Sequence, residues 1–580
     1  MQSVYSYINK FLQVLLTCYI IGSHLSTPGH SQNIILNLPD DFPEINLNVF
    51  NNPSDGYIFA GPYGGNFFPN ATPYLTILDN WCTPVFYRKM DAPVYDFKLQ
   101  ENGYLSYYKW PRQYILDSSY RTIDTIIIKN HGPYDTDFHE LKVFEDGSAF
   151  LLGFDDRLVD MDTVVPGGHQ GVTVRGCLIQ EQDPEGNVVF EWSSWDHFLI
   201  TDASTDVDLT DPNFIDYVHT NAIEVDSDTT LLISNRNFEE ITKIDRRTGE
   251  IIWRMGGKNN QFTFINDTLN GFRRQHDIRK ISNGNYTLFD NGGLEAPLIS
   301  RAVEYDLDEI NFTATLVNSY RSQPDDIYGA IMGNAQWLND GHILVGWGSG
   351  VPNITEFHPD GNKAWEVEFE SISYRAYRFP WKTNLFIPET DSIHFGEIHF
   401  LDTAVYELPV LNTSEESIQI TGYHHHDPSF SILNDLPVTI EEGKQKNFYL
   451  QFDPDSIGVF NDIITIQSDI NTPELVQRIA RQVLVKGLAS PYAGTEAEAV
   501  NLVAGHYPNP HAGTIHLVFH KRSKYEITIT GLSGEIINQD FTDDFLYTNH
   551  NLISCPAGIY IIRIRDKQTG AINYLKSIRQ

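Results

Sequence analysis

Cysteine is scarce in this chain: only Cys18, Cys82, Cys177 and Cys555 occur in 580 residues. They are too few and too far apart for a disulfide framework, so the fold must rest on its apolar core. Basic residues are also few, with 40 Lys and Arg against 76 Asp and Glu and a formal charge of −36. Nucleic acid, whose backbone needs a basic surface, is excluded as a partner on that balance. The same charge repels any anionic substrate at long range, so an anion site must be locally basic. Long apolar runs are missing too. The one candidate, Phe11 to Gly22 after Lys10, is too short to span a bilayer and reads as the core of a signal peptide covering residues 1–31, with cleavage near Ser31. Cys18, with Thr17 before it and apolar residues after it, fits a lipoprotein site poorly. The mature chain is expected to carry no transmembrane segment.

What is present is hydrophobic and repetitive. A hydrophobic content of 41% with 13% aromatics describes a folded chain, and its length allows two to four domains. One short pattern recurs with a histidine at its head: His139 to Gly147, His219 to Asp228 and His276 to Gly284. In each, loosely alternating apolar residues lead to an Asp-Gly, Asp-Ser or Asn-Gly turn and then to a second strand. The pattern returns without histidine at Tyr95 to Gly103 and Gly333 to Gly341. Between these lie hairpins whose second strand ends in an aromatic residue, as at Leu178 to Trp192, Ile241 to Trp253 and Ile354 to Trp365. Four strands per unit is the blade of a β-propeller, and six blades is the best count, with a ragged sixth near Tyr374 to Phe386 and long insertions at 156–175 and 195–217. Residues 33–72 read as a turn-rich lead-in.

The expected organisation is all-β: a signal peptide (1–31), a six-bladed β-propeller (32–388), an immunoglobulin-like β-sandwich (389–489), a linker (490–498) and a small C-terminal β-sandwich (499–580). The sandwich assignment rests on strands such as Ala404 to Asn412, Lys446 to Phe452 and Asp462 to Gln467, which lack the blade pattern. His424, His425 and His426 fall between two of these strands and are expected in an exposed loop.

Equivalent positions of structural repeats sit around a common axis, so His139, His219 and His276 should converge. Two chemistries use such a trio. The histidines can ligate a metal in a lyase or hydrolase, or one can act as a nucleophile among donors that grip an anion. A third reading is a non-catalytic binding protein of the cell surface. Arg236, at the far end of the hairpin begun by His219, favours the anion, because a permanent guanidinium is a poor neighbour for a metal and a good one for an oxyanion.

Several segments, in order, resemble bacterial arylsulfate sulfotransferases: Gly56 to Phe59 with Leu75 to Asn80, Phe190 to His197, His219-Thr-Asn221 with Ser234-Asn-Arg236, Trp253 to Gly257, and Gln275-His276-Asp277. The likeness runs over residues 50 to 385. It implies a six-bladed propeller that moves a sulfuryl group from a phenolic sulfate ester to a phenolic acceptor, with no nucleotide sulfate donor and no metal or other cofactor. By motif, His276 matches the transiently sulfated nucleophile, His139 and His219 its partner histidines, Arg236 the sulfate-binding arginine, and Asn221 a substrate-binding residue. Closely spaced paired cysteines found in some members have no counterpart here. At the other end, Tyr507-Pro-Asn-Pro510, Gly513, Ile527 to Gly534 and Pro556 to Tyr560 resemble the C-terminal sorting domain of type IX secretion cargo. That resemblance implies a Bacteroidetes bacterium, recognition of residues 499–580 by the type IX machinery, and a secreted or outer-surface protein.

Overall fold

The computed structural model describes residues 38–65, 68–490, 502–507, 514–531, 536–551, 555–569 and 571–579. The expected signal peptide and most of the expected linker lie outside these. The described residues divide into two compact units, those up to 396 with 401–488, and 397–400 with those from 489 onward. Strands dominate, and the described helices are single 3-10 turns.

Six antiparallel meanders occupy most of the first unit. The second sheet holds Tyr95–Leu99, Leu105–Lys109, Arg112–Leu116 and Thr122–Ile126 in order. The third holds Thr136–Val143, Ala149–Val159, Val172–Gln182 and Val188–Ser193, and the fourth Thr220–Ser227, Thr230–Asn235, Glu240–Asp245 and Ile251–Gly256. The fifth holds His276–Lys280, Tyr286–Asp290, Arg301–Asp308 and Thr313–Tyr320, and the sixth Asn334–Trp337, Ile343–Gly346, Ile354–Phe357 and Lys363–Phe369. The first sheet takes its leading strand, Ile372–Phe379, from the far end of this region and the others, Tyr57–Tyr63, Tyr74–Leu78 and Pro84–Lys89, from the beginning. Ile45–Phe50 adds an outer strand to the sixth sheet. The lead-in and the ragged sixth unit are therefore strands that interlock the two ends of the region, which a linear reading of repeats cannot pair.

Each leading strand touches the leading strand of the next sheet, and that of the sixth touches Ile372–Phe379 of the first. Apolar clusters fill every successive interface, from Phe59, Leu75 and Phe97 between the first two sheets to Ile58, Leu344 and Trp365 between the last and the first. A strand packed on both faces needs no alternation, which is why Tyr74–Leu78 and Tyr286–Asp290 are buried throughout. The aromatic strand ends serve as ties between sheets. The indoles of Trp192, Trp253 and Trp365 donate to Gly249 O, Glu309 Oε2 and Asn80 O, each in a turn of the following sheet. Of the two insertions, 156–175 extends a hairpin, with Val159 facing Val172 across it. Within 195–217, Phe214–Asp216 runs parallel to Thr173–Arg175.

Residues 386–396 and 401–488 form further strands in the same compact unit. Val476–Ser490 pairs with Pro84–Lys89, so the first sheet continues into Gly458–Asn471 and Gly422–His424. Arg478, fully buried beneath Tyr87, anchors that junction and pairs with Asp469 at 2.8 Å. His424 ends a strand and is buried, which corrects the expectation of an exposed loop. Burial and the neighbouring His426 and His425 push its pKa down to about 4. The second unit is a five-stranded antiparallel sheet around Ile515, Leu517, Ile527, Ile529, Ile562 and Ile564.

Candidate functional site

The leading strands are irregular where the histidines stand. Ladder pairing skips residues between Thr136 and Leu141, between Thr220 and Ala222, and between His276 and Arg279. Bulges of this kind re-aim side chains near one end of a strand. His219 and Asp277 adopt left-handed φ values of 50° and 61°. A non-glycine residue pays on the order of 1 kcal/mol for that conformation.

The histidine rings converge. His139 and His219 stand edge to face with centroids 4.8 Å apart, and Phe138 stacks on His139. Both rings are close enough to His276 to act on its charge. Each ring has its Nδ1 fixed: His139 by Asp137 at 2.6 Å, His219 by Asp216 at 2.6 Å, and His276 by Asn291 Oδ1 at 2.7 Å. Asn291 cannot turn round, because its Nδ2 donates to Gly329 O and Met332 O at 2.6 and 2.8 Å. The proton on His276 is thereby held at Nδ1 and its Nε2 keeps a lone pair. Among the described residues, none of the three Nε2 atoms has a hydrogen-bond partner.

The three environments differ in charge. Burial, with the positive fields of His219 and His139, holds His276 well below the usual imidazole pKa, so this ring is neutral at pH 7. Asp216 is pushed upward by burial but drawn below its usual value by His219, Arg175 and His139, and stays ionised. A neutral imidazole thus stands beside two imidazoles that are each backed by an acid.

Arg236 opens the 3-10 turn Arg236–Phe238, and its N–H donates to His219 O at 3.0 Å. The residue is only 8% exposed. Its one side-chain hydrogen bond runs from Nη1 to Asn237 Oδ1 at 2.7 Å, and it makes no ion pair among the described residues. Asn221 is fully buried and braces the sheets, with Nδ2 donating to Gln275 O at 2.8 Å.

Sequence reasoning missed the charged layer formed by residues that follow the site positions. Glu140 and Asp277 come directly after His139 and His276, and the same register holds Tyr95-Asp96 and Tyr374-Arg375. Arg375, whose side chain is fully buried, donates to Asp96 at 3.0 Å, Glu140 at 3.3 Å and Asn221 O at 2.7 Å. Arg279 reaches Glu140 and Asp277, both at 2.6 Å, and Lys98 reaches Asp96 at 2.6 Å. Glu140 is pushed upward by burial but held well below the carboxylate range by Arg279, Lys98 and Arg375. The signal was available as an aromatic or histidine followed by a charged residue. Arg375 was hidden because its strand closes the first sheet from the far end of the region.

No group of three or more His, Cys, Asp or Glu side chains that could hold a metal ion occurs among the described residues. Cys82, Cys177 and Cys555 are free thiols. No described helix is long and apolar enough to cross a membrane.

Comparison with known proteins identifies two regions. Residues 112–370 match the arylsulfotransferase (ASST) family, and residues 506–575 match the secretion system C-terminal sorting domain. No curated protein matches the chain. Among solved structures it is similar to PorZ, an essential bacterial surface component of the type-IX secretion system of Porphyromonas gingivalis, at 10% identity over 92% of this chain and 75% of that one, with a TM-score of 0.24. It is also similar to the ASH/PapD-like domain of human CEP192, at 12% identity over 20% of this chain and 87% of that one, with a TM-score of 0.15. At such TM-scores neither likeness bears on the fold. The chain carries an arylsulfotransferase-family region at residues 112–370 and a C-terminal secretion sorting domain at residues 506–575, and so bears the signal of a protein exported to the cell surface or beyond.

Proposed function

We propose that this protein is a secreted aryl-sulfate sulfotransferase that moves a sulfuryl group between phenols through a sulfohistidine at His276. The reading takes the six sheets as blades of a six-bladed propeller. It is supported by the cycle of leading-strand contacts and by an apolar interface between each sheet and the next. One observation carries the chemistry: a neutral histidine with its proton fixed on Nδ1 stands beside two carboxylate-backed histidines.

In the first half-reaction Nε2 of His276 attacks sulfur, the sulfur–oxygen bond to the donor phenol breaks, and His139 or His219 gives a proton to the departing phenolate. The phenol leaves and the sulfuryl group stays on nitrogen. In the second half-reaction the acceptor phenol gives its proton to the same histidine and attacks sulfur, and the sulfur–nitrogen bond breaks. Asp137 and Asp216 keep the two partner rings oriented and offset the charge of the imidazolium. Arg236, without a carboxylate of its own, supplies positive charge to the sulfuryl oxygens, whose charge grows as the group transfers. Phenolate is a good leaving group, its conjugate acid having a pKa of roughly 10, so modest acid assistance is enough. The sorting domain supports recognition by type IX secretion machinery.

The test is nitrophenol release from 4-nitrophenyl sulfate by the full-length protein, with and without added phenol, alongside intact-mass measurement. Phenol-stimulated release and a sulfuryl adduct that is absent from His276→Ala are expected. Absence of both across several aryl sulfates refutes the proposal.

A further inference from the structure

Arg274 lies two residues before His276, and its carbonyl is 3.2 Å from His276 Nδ1. Its backbone is left-handed, with φ 53°, so the chain turns sharply there. The guanidinium is mostly covered, with a side-chain exposure of 13%. Yet its Nε is buried without a hydrogen-bond partner, and the nearest carboxylate, Asp206, stands at 3.6 Å, beyond hydrogen-bond reach. A buried guanidinium donor with no acceptor costs roughly 1–3 kcal/mol, more for a charged group. Such a cost is offset when a ligand brings the acceptor.

Asp206 belongs to the 195–217 connection, which is pinned beside Arg236. Ser204 N donates to Asn237 O at 2.8 Å, and Asp206 follows two residues later. The turn that carries Arg236 and the side chain of Arg274 therefore meet the same short loop. Arg273, Asp290 and Asp206 itself act on the carboxyl of Glu239 in the same corner. Asp290 is committed to Arg301 at 2.9 Å. Burial pushes the Glu239 carboxyl up to about 7, with Arg273 opposing, so it carries only part of a negative charge at neutral pH. In a chain of net charge −36, this corner is locally basic.

We propose that Arg274 is a further anion-positioning residue, which takes the acidic group of an aryl sulfate as it enters and exchanges its loose contact with Asp206 for it. The inference rests on the sulfotransfer reading and extends it from the reacting centre to the approach.

The experiment measures KM and kcat for 4-nitrophenyl sulfate in full-length wild type, R274Q, R274K and D206N, and measures donor binding by calorimetry in H276A and in H276A/R274Q. Loss of a charge-assisted contact predicts a KM and dissociation constant about tenfold higher in R274Q, with kcat within about twofold of wild type. R274K should fall between, since it keeps charge but loses the fork. D206N should lower KM, because the competing carboxylate is gone. An R274Q enzyme with unchanged KM, or one that loses kcat at constant KM, overturns the proposal, as does a D206N enzyme with raised KM. If wild type turns over and H276A binds the donor but R274Q changes neither, this inference alone fails. If wild type neither turns over nor binds the donor, the sulfotransfer reading fails and this inference with it.

Discussion

Replacing Arg236 by methionine tests whether this arginine serves the fold or a ligand. Arg236 is 8% exposed, forms no ion pair among the described residues, and has one side-chain hydrogen bond, to Asn237. Burying a cation costs several kcal/mol after relaxation, and nothing but that hydrogen bond offsets it here. Losing the bond costs about 1 kcal/mol. Asn237 stays anchored regardless, since its Nδ2 donates to Asp216 O at 2.7 Å. Methionine fills much of the same space without charge. The expected outcome is a variant more stable than wild type by about 1–3 kcal/mol, with turnover reduced about 10²- to 10³-fold because a donor to the sulfuryl oxygens is lost. Thermal unfolding with inorganic sulfate gives a readout independent of turnover. At 100 times its dissociation constant, sulfate should stabilise wild type by about 2.7 kcal/mol and leave Arg236→Met unmoved. A variant destabilised by more than about 2 kcal/mol that still turns over and still responds to sulfate would make Arg236 a structural residue and refute the reasoning.

Three further outcomes are expected. Because His276 is buried with its pKa well below the unfolded value of about 6.5, the native state binds fewer protons than the unfolded state under mildly acidic conditions. Its contribution to stability is complete above pH 6.5 and is lost as pH falls toward the folded pKa, so the pH–stability curve of His276→Asn should lack that part of the slope seen in wild type. Replacing Arg375 by methionine removes the cation between Asp96 and Glu140 and leaves each with one cationic partner fewer, Asp96 with Lys98 and Glu140 with Arg279; denaturant titration should show a loss approaching the roughly 3–5 kcal/mol of a broken buried pair, and a change under 1 kcal/mol would count against a charged layer that holds the leading strands together. Asp216→Asn should keep the fold but release the tautomer of His219, cutting kcat at least tenfold with little change in KM; wild-type kcat would remove His219 from proton transfer.

Much of this could be read from the chain, because the relevant physics is local. Turn residues at fixed offsets from apolar alternation mark the hairpins, and the repeated register of His139, His219 and His276 marks a shared place in successive units. Arg236 was legible too, since a hairpin returns its far end to the edge where His219 begins. Other features depend on residues distant in sequence. Ile372–Phe379 leads a sheet whose next three strands come from residues 57–89, and Arg375 on it meets Asp96 and Glu140 across separations of 279 and 235 residues; no spacing rule links positions so far apart. The tautomer of His276 is set by Asn291, and Asn291 by two carbonyls near Gly329 and Met332. The burial that keeps His276 neutral is a property of the packed interior, where low polarity penalises charge. The residue types at the repeated positions are written in the chain; which ring stays neutral, and that Arg236 has no counter-ion among the described residues, depends on packing, because protonation and charge balance depend on everything that surrounds a group.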